Sequence, residues 1–275
     1  MDRSAAVVSE PKASDLVRVA REPNGHAQVA ELILNRADKL NTFDTALTDA
    51  LDTAVAELRE DRSVRAIVVA GEGKAFSAGA DIAEFSALPD GKAFGDFLMR
   101  LEGTFARLSQ LPQPTIAAVH GVAYGGGMEL ALACDFRIAE ERARFGLPEI
   151  KLGILPGAGG TQRAARLLPR SVALRLILTG EPMGAEEALR HGFVEEILPA
   201  GEGRRAAGEL AARLAALPPL AIAAAKRLVH EGADLPLDQG LLFEREADIE
   251  LFDTADRAEG TSAFLEKREP RFHGR

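Results

Sequence analysis

Two of the three glycine-rich segments in this chain begin where an apolar, strand-like run ends, and that placement restricts the fold more than any other feature. GEGKAFSAGADI (71–82) follows the run 64–70, and HGVAYGGGMELALACD (120–135) follows 114–119. The third segment, GILPGAGGTQR, occupies 153–163. An open α/β sheet binds its ligands beyond the carboxyl ends of its strands, where turns of this kind collect. The surrounding sequence agrees. LVRVA (16–20) and AQVAELIL (27–34) flank EPNGH, whose Asn24-Gly25 pair signals a hairpin. Residues 43–59 place Phe43, Leu47, Ala50, Leu51, Ala54 and Leu58 on one helical face. VRAIVVAG (64–71) reads as a buried strand, 91–110 as a helix, and LPQPTIAAVHG (111–121) and FRIAEE (136–141) as further strands.

Strands alternating with helices over short connections specify an α/β fold with a largely parallel sheet. Beyond Pro156 the stretches 160–192, 202–231 and 236–267 are alanine- and leucine-rich with helical spacing, and only FVEEIL (193–198) reads as a strand. The division that follows is a loose extension over 1–14, an α/β core over 15–200 and a helical C-terminal region over 201–275.

Composition removes several functions. One cysteine, Cys134, in 275 residues excludes a disulfide framework or a cysteine-based zinc cluster. A net charge of -9 repels phosphate backbones and argues against nucleic-acid binding. No run reaches the roughly 18 apolar residues of a membrane span, and MDRSAAVVSEPKAS lacks the apolar centre of a secretion signal. A cytoplasmic enzyme with no membrane partner is expected.

The glycines do not fit a phosphate cradle. In G-x-G-x-x-G the third glycine would fall on Leu130 when counted from Gly125, and on Gln162 from Gly157. A P-loop would need Gly-Lys-Ser/Thr, which is absent from all three segments. Another chemistry fits better. Ser77-Ala78-Gly79-Ala80 and Gly125-Gly126-Gly127 each lead into a helix, and the first N–H groups of a helix have no intrahelical partner. One amide from each turn, aimed at the same oxygen, would form an oxyanion hole. His120 and Asp135 read as turn and helix-end hydrogen-bonding groups, and Cys134 as a buried small hydrophobe.

In KAFSAGADI (74–82), AAVHGVAYGGGMELALACD (117–135) and FGLPEIKLGILPGAGGTQR (145–163), the chain resembles the enoyl-CoA hydratase/isomerase (crotonase) superfamily. The likeness runs from about Val17 to the C-terminal RFHGR. It implies a spiral core of ββα units with a helical C-terminal layer, and assembly as a homotrimer or dimer of trimers. It further implies that the amides of Ala80 and Gly126 bind the thioester oxygen of an acyl-CoA. Glu129 and Glu149 match the two glutamates of water-adding members, with Glu129 as water activator and Glu149 as proton donor to the α-carbon. Ala78, Asp81, Ile82, Gly125 and Gly157 fall at the implied substrate site, while Arg36, Lys39 and Lys267 are candidate contacts for the coenzyme A phosphates. Ala83 and Leu147 depart from residues common in hydratases. The implied reaction is reversible syn hydration of a 2-enoyl-CoA, with no metal or cofactor beyond the substrate's own coenzyme A. A double-bond isomerase of the same fold and a non-catalytic acyl-CoA-binding protein are the alternatives.

Overall fold

The computed structural model describes residues 13–24 and 27–275. The extension expected over 1–14 thus lies outside the described residues up to position 12, and a short helix, α1 (Ala13–Leu16), follows. Strands β1 (Val17–Asn24) and β2 (Ala27–Leu34) pair antiparallel, the hairpin that the Asn24-Gly25 signal predicts, with Asn24 itself in β1 opposite Ala27. Gly25 and His26 themselves lie outside the described residues.

The chain then repeats one pattern. After β2, Phe43 makes a single bridge and leads into α2 (Thr45–Glu60). After β3 (Val64–Gly71), bridges at Ser77 and Ala80 lead into α3 (Ile82–Ala87) and α4 (Gly91–Ser109). Strand β4 (Thr115–Val119) is followed by β5 (Val122–Tyr124) and α5 (Gly126–Ala133). Next come β6 (Phe136–Glu140), β7 (Arg144–Gly146), a 3-10 turn over Pro148–Leu152 and α6 (Gly160–Leu167). Each unit is strand, second strand, helix, and in the first two units the second strand has shrunk to isolated bridges. These are the ββα units that the family resemblance implies.

Helix α7 (Arg170–Thr179), β8 (Met183–Gly184), α8 (Ala185–Arg190) and β9 (Glu196–Leu198) complete the core. The main sheet runs β1-β2-β3-β4-β6-β9, parallel except for the first pair, and a smaller sheet runs β5-β7-β8.

Strand β3 is buried on both faces, which accounts for its unbroken apolar run. Its Ile67 and Val69 join the large core beneath α2, α4 and α5, and its Ala66, Val68 and Ala70 face the other way. That second face is covered by α9 (Gly203–Ala215), whose Ala207, Ala211 and Ala215 recur every fourth residue. Helix α9, the first of the C-terminal region, thus packs directly on the sheet.

Beyond it lie α10 (Pro219–Gly232), α11 (Leu237–Phe252) and α12 (Ala255–Glu266). Half-buried Asp135 latches α10 to the sheet: it pairs with Lys226 Nζ at 2.8 Å, meets His230 Nε2 at 2.9 Å and accepts from the Thr115 N–H at 2.7 Å. Burial works against its charge, but the His230 and Lys226 contacts outweigh it and hold its pKa below the ordinary value. Leu237, Leu241, Leu242, Ile249, Phe252, Phe264 and Leu265 are exposed on α11 and α12. Among the described residues no single helix is long and apolar enough to cross a membrane.

Candidate active site

The register of the smaller sheet brings the two glycine turns together. Ser77 bridges Ala123 in parallel, with the Ser77 N–H donating to Val122 O at 3.1 Å and the Tyr124 N–H to Ser77 O at 3.0 Å. Ala80 stands three residues past Ser77, and Gly126 three past Ala123, so the two arrive side by side. A Cβ built on Gly126 would lie 3.8 Å from Ala80 N. The bridge between Phe43 and Ala80 uses the Phe43 N–H to Gly79 O at 2.7 Å and the Asp81 N–H to Phe43 O at 2.8 Å. Ala80's own N–H is thereby turned to the opposite side. Gly126 opens α5, where an N–H has no intrahelical acceptor. Among the described residues neither amide donates a hydrogen bond within the chain. Two unengaged donors facing one cavity can hold an oxygen that gains negative charge.

That cavity is lined by Ala78, Ala80, Ile82, Gly125, Gly126, Glu129, Glu149 and Gly157, eight of the twelve residues read from the sequence as site residues. Glu129 lies one helical turn beyond Gly126 and is buried. Its Oε1 accepts from the Gly160 N–H at 2.8 Å. A Cβ at Gly160 would meet that oxygen at 2.9 Å and Pro156 Cβ at 2.7 Å, so the third glycine segment exists to clasp the carboxylate. Glu149 projects from the 3-10 turn with Pro148 at its start. Gly125 makes room for it: a Cβ there would fall 2.7 Å from Glu149 Oε1, and φ is +50°. Glu149 Oε2 is buried without a hydrogen-bond partner.

Burial pushes the Glu129 carboxyl up to about 7, aided by the nearby Glu149 and opposed by the Gly160 and Ala158 amides and Arg163. Burial likewise raises Glu149 to about 7.

The other four residues sit elsewhere. Arg36 and Asp81 meet each other at 2.7 Å, and Arg36 also pairs with Asp44 at 2.9 Å and donates to Thr42 O at 3.0 Å. With its guanidinium so engaged, Arg36 ties the turn at 36–44 to the segment carrying Ala80 rather than facing a phosphate. Asp81 also caps α3, its side chain accepting from Ala83 N and Glu84 N. Burial works to raise its pKa, but the Arg36 hydrogen bond and these amides bring it below the ordinary value. Lys39 and Lys267 are exposed, Lys267 in the left-handed position that ends α12, and neither lines the cavity. The basic tail folds back instead of extending: Arg268 pairs with Glu259 at 2.7 Å, and the amides of His273 and Gly274 donate to Asp256. Leu147 is wholly buried in the core and Ala83 is exposed on α3, so neither departure from the hydratase pattern lines the cavity.

The sequence points to the stretch near 84–100 for the acyl pocket but does not show which of its side chains face it. Phe94, Phe97, Leu98 and Leu101 line the cavity from one face of α4, Phe85 joins them from α3, and Leu152, Ile154 and Leu155 lie opposite. The i, i+3, i+4, i+7 spacing of 94, 97, 98 and 101 was the available signal. Asn41 was missed. It is fully buried, and its Nδ2 donates to Glu72 O, Ala75 O and Phe76 O, bracing the turn that precedes Ala80.

The enoyl-CoA hydratase/isomerase family model matches residues 24–275. A short-chain-enoyl-CoA hydratase of Clostridium acetobutylicum is 39% identical over 257 residues, spanning 92% of this chain and 97% of that protein. A 2,3-dehydroadipyl-CoA hydratase of Escherichia coli is 41% identical over 248 residues, 90% of this chain and 96% of the relative. Among solved structures, an enoyl-CoA hydratase from Bacillus anthracis aligns with a TM-score of 0.88 at 38% identity, covering 94% of this chain and 99% of that one. With its spiral of ββα units and paired turns, the chain belongs to the enoyl-CoA hydratase/isomerase family.

Proposed function

We propose that the protein is an enoyl-CoA hydratase, adding water reversibly across the 2,3 double bond of a 2-enoyl-CoA to give a 3-hydroxyacyl-CoA. The observation that carries this reading is two buried glutamates, Glu129 and Glu149, lining one cavity with the unengaged amides of Ala80 and Gly126. The amides receive the thioester oxygen, which takes up negative charge as water attacks C3. Glu129 removes a proton from that water, and Glu149 delivers a proton to C2. The pair therefore begins and ends with one proton, carried by the opposite acid.

The division of roles follows from the surroundings. Glu129 accepts from the Gly160 N–H, which favours its charged form, whereas Glu149 Oε2 has no donor. The shared proton settles on Glu149, leaving Glu129 as the base. A proton shuttle between carbons needs only one such group, so retention of two favours hydration over isomerisation. The chemistry needs no metal or redox cofactor, because amides and substrate thioester carry the developing charge. A cytoplasmic location accords with it. The exposed leucines and phenylalanines of α11 and α12 support assembly into a trimer or dimer of trimers, since exposed large apolar side chains gain by being covered.

Loss of the enone absorbance of crotonyl-CoA measures the activity. Glu149→Gln and Glu129→Gln should each lower kcat by about 10²–10⁴, the usual worth of a positioned acid or base. A loss under about tenfold at either position would remove that residue from the mechanism. Among the described residues the lining holds no charged side chain apart from the two acids, which favours a hydrocarbon acyl chain. Of two six-carbon substrates, 2-hexenoyl-CoA should exceed 2,3-dehydroadipyl-CoA in kcat/KM by about 10² or more, since the latter must bury an unpaired carboxylate. Equal rates would overturn the hydrocarbon assignment and leave the hydration chemistry standing.

A further inference from the structure

Arg163 is a half-buried cation whose burial lowers its pKa, yet among the described residues no carboxylate oxygen lies within 4.0 Å of it. A guanidinium withdrawn from water ordinarily takes a carboxylate partner, because desolvating it without one is costly. Arg163 instead folds back over its own turn, where Nη1 donates to Ala158 O at 2.9 Å. Gly159 permits this: its φ is +105°, and a Cβ there would stand 2.0 Å from Arg163 Nη1. The same turn supplies the Gly160 N–H that holds Glu129 Oε1 at 2.8 Å. Among the described residues, the acids whose charge acts on Arg163 are Glu129 and Glu102.

We infer that Arg163 is a positioning residue for the acid pair: it braces the 157–160 turn and supplies the uncompensated positive charge that keeps Glu129, rather than Glu149, as the carboxylate. This rests on the hydratase reading for the role of the pair, though not for the electrostatics. The groups around Glu129 leave Arg163 that part. Glu149, from the Pro148–Leu152 turn, is of like sign, and Lys151 on that turn is exposed. Helix α4 brings Glu102, also negative, and β5 brings only Tyr124. On α6 the other arginine, Arg166, is exposed and paired with Asp234 at 3.4 Å. Among the described residues Arg163 is therefore the one cation facing the pair, and its stabilising field acts on Glu129 in the direction opposite to burial.

The test is the titration of Glu129 in protein labelled with 13Cδ-glutamate, its signal identified by loss in Glu129→Gln. In Arg163→Met the midpoint should rise by about half a unit or more, and the acidic limb of kcat/KM for crotonyl-CoA should move with it. Arg163→Lys, which keeps the charge, should hold both near wild type, with KM changed less than about threefold. Arg163→Gln, which retains a donor for Ala158 O, carries the same expectation as Arg163→Met if the latter does not fold. An unmoved Glu129 midpoint in a folded, uncharged variant would overturn the inference, as would failure of both uncharged variants to fold, which would make Arg163 a brace alone. Because the titration needs no turnover, an inactive wild type would refute the hydratase reading without touching this result.

Discussion

The cavity has two walls of different construction. One carries Ala80, Gly126, Glu129 and Glu149 and is made of backbone: parallel bridges, glycine turns and an amide-held carboxylate. The other, from α3 and α4, is made of side chains, with Phe85 and Phe94 meeting edge to face at 5.3 Å, both half-buried. Backbone bridges and turns hold the first wall through hydrogen bonds between separate elements. Half-buried side chains can repack. Chemistry belongs on the first wall and tolerance of different acyl chains on the second.

Changes of similar size should thus have unequal consequences. Gly160→Ala adds one methyl, but the methyl would occupy the space of Glu129 Oε1 and Pro156 Cβ. Displacing a base by about 1 Å costs on the order of 10²-fold in rate, and kcat for crotonyl-CoA should fall accordingly while KM changes little. Phe94→Ala removes a whole ring and forfeits about 0.5–1.5 kcal/mol of ring contact. Its kcat for crotonyl-CoA should nevertheless stay within about fivefold of wild type, with the ratio of longer to shorter enoyl-CoA rates rising. Steady-state kinetics on both variants decides it. The reverse ranking would mean that the α3–α4 wall, and not the glycine turns, sets the reacting geometry.

Much of this was legible in the sequence because the same residues carry fold and site. The run 64–71 is read correctly as a strand since both of its faces are buried. The equal offsets Ser77 to Ala80 and Ala123 to Gly126 are visible in the motifs, although the bridge that aligns them is not. Other parts were hidden for physical reasons. Strand β1 extends to Asn24 through Arg21, Glu22 and Pro23, edge residues whose exposure removes any apolar pattern. The second strands shrink to three residues or to single bridges, too short for periodicity to register. For Arg36 a sequence shows charge without partners. Its role emerges only when Asp44 and Asp81, 8 and 45 positions away, arrive on either side. The alanines of α9 suit a helix anywhere, and only packing shows that they cover the sheet.

The smallest expected effect concerns stability, and it separates the walls by pH. Glu129 and Glu149 ordinarily titrate near 4.5 and are pushed up to about 7 in the folded chain. Between those values the folded state keeps protons that the unfolded chain has released. Unfolding then releases protons, so stability falls as pH rises through the window and the cost is complete above it. Glu149 bears this cost with an unpartnered Oε2, and a neutral amide there escapes it. Glu149→Gln should therefore be more stable than wild type at pH 8, by about 1–3 kcal/mol, and lose that advantage by pH 4.5. Phe94→Ala on the opposite wall should be destabilised equally at both. Thermal unfolding of the three proteins at the two pH values measures this. A Glu149→Gln advantage that does not change with pH would mean that its carboxylate is not desolvated in the fold, and the shared proton of the pair would lose its physical basis.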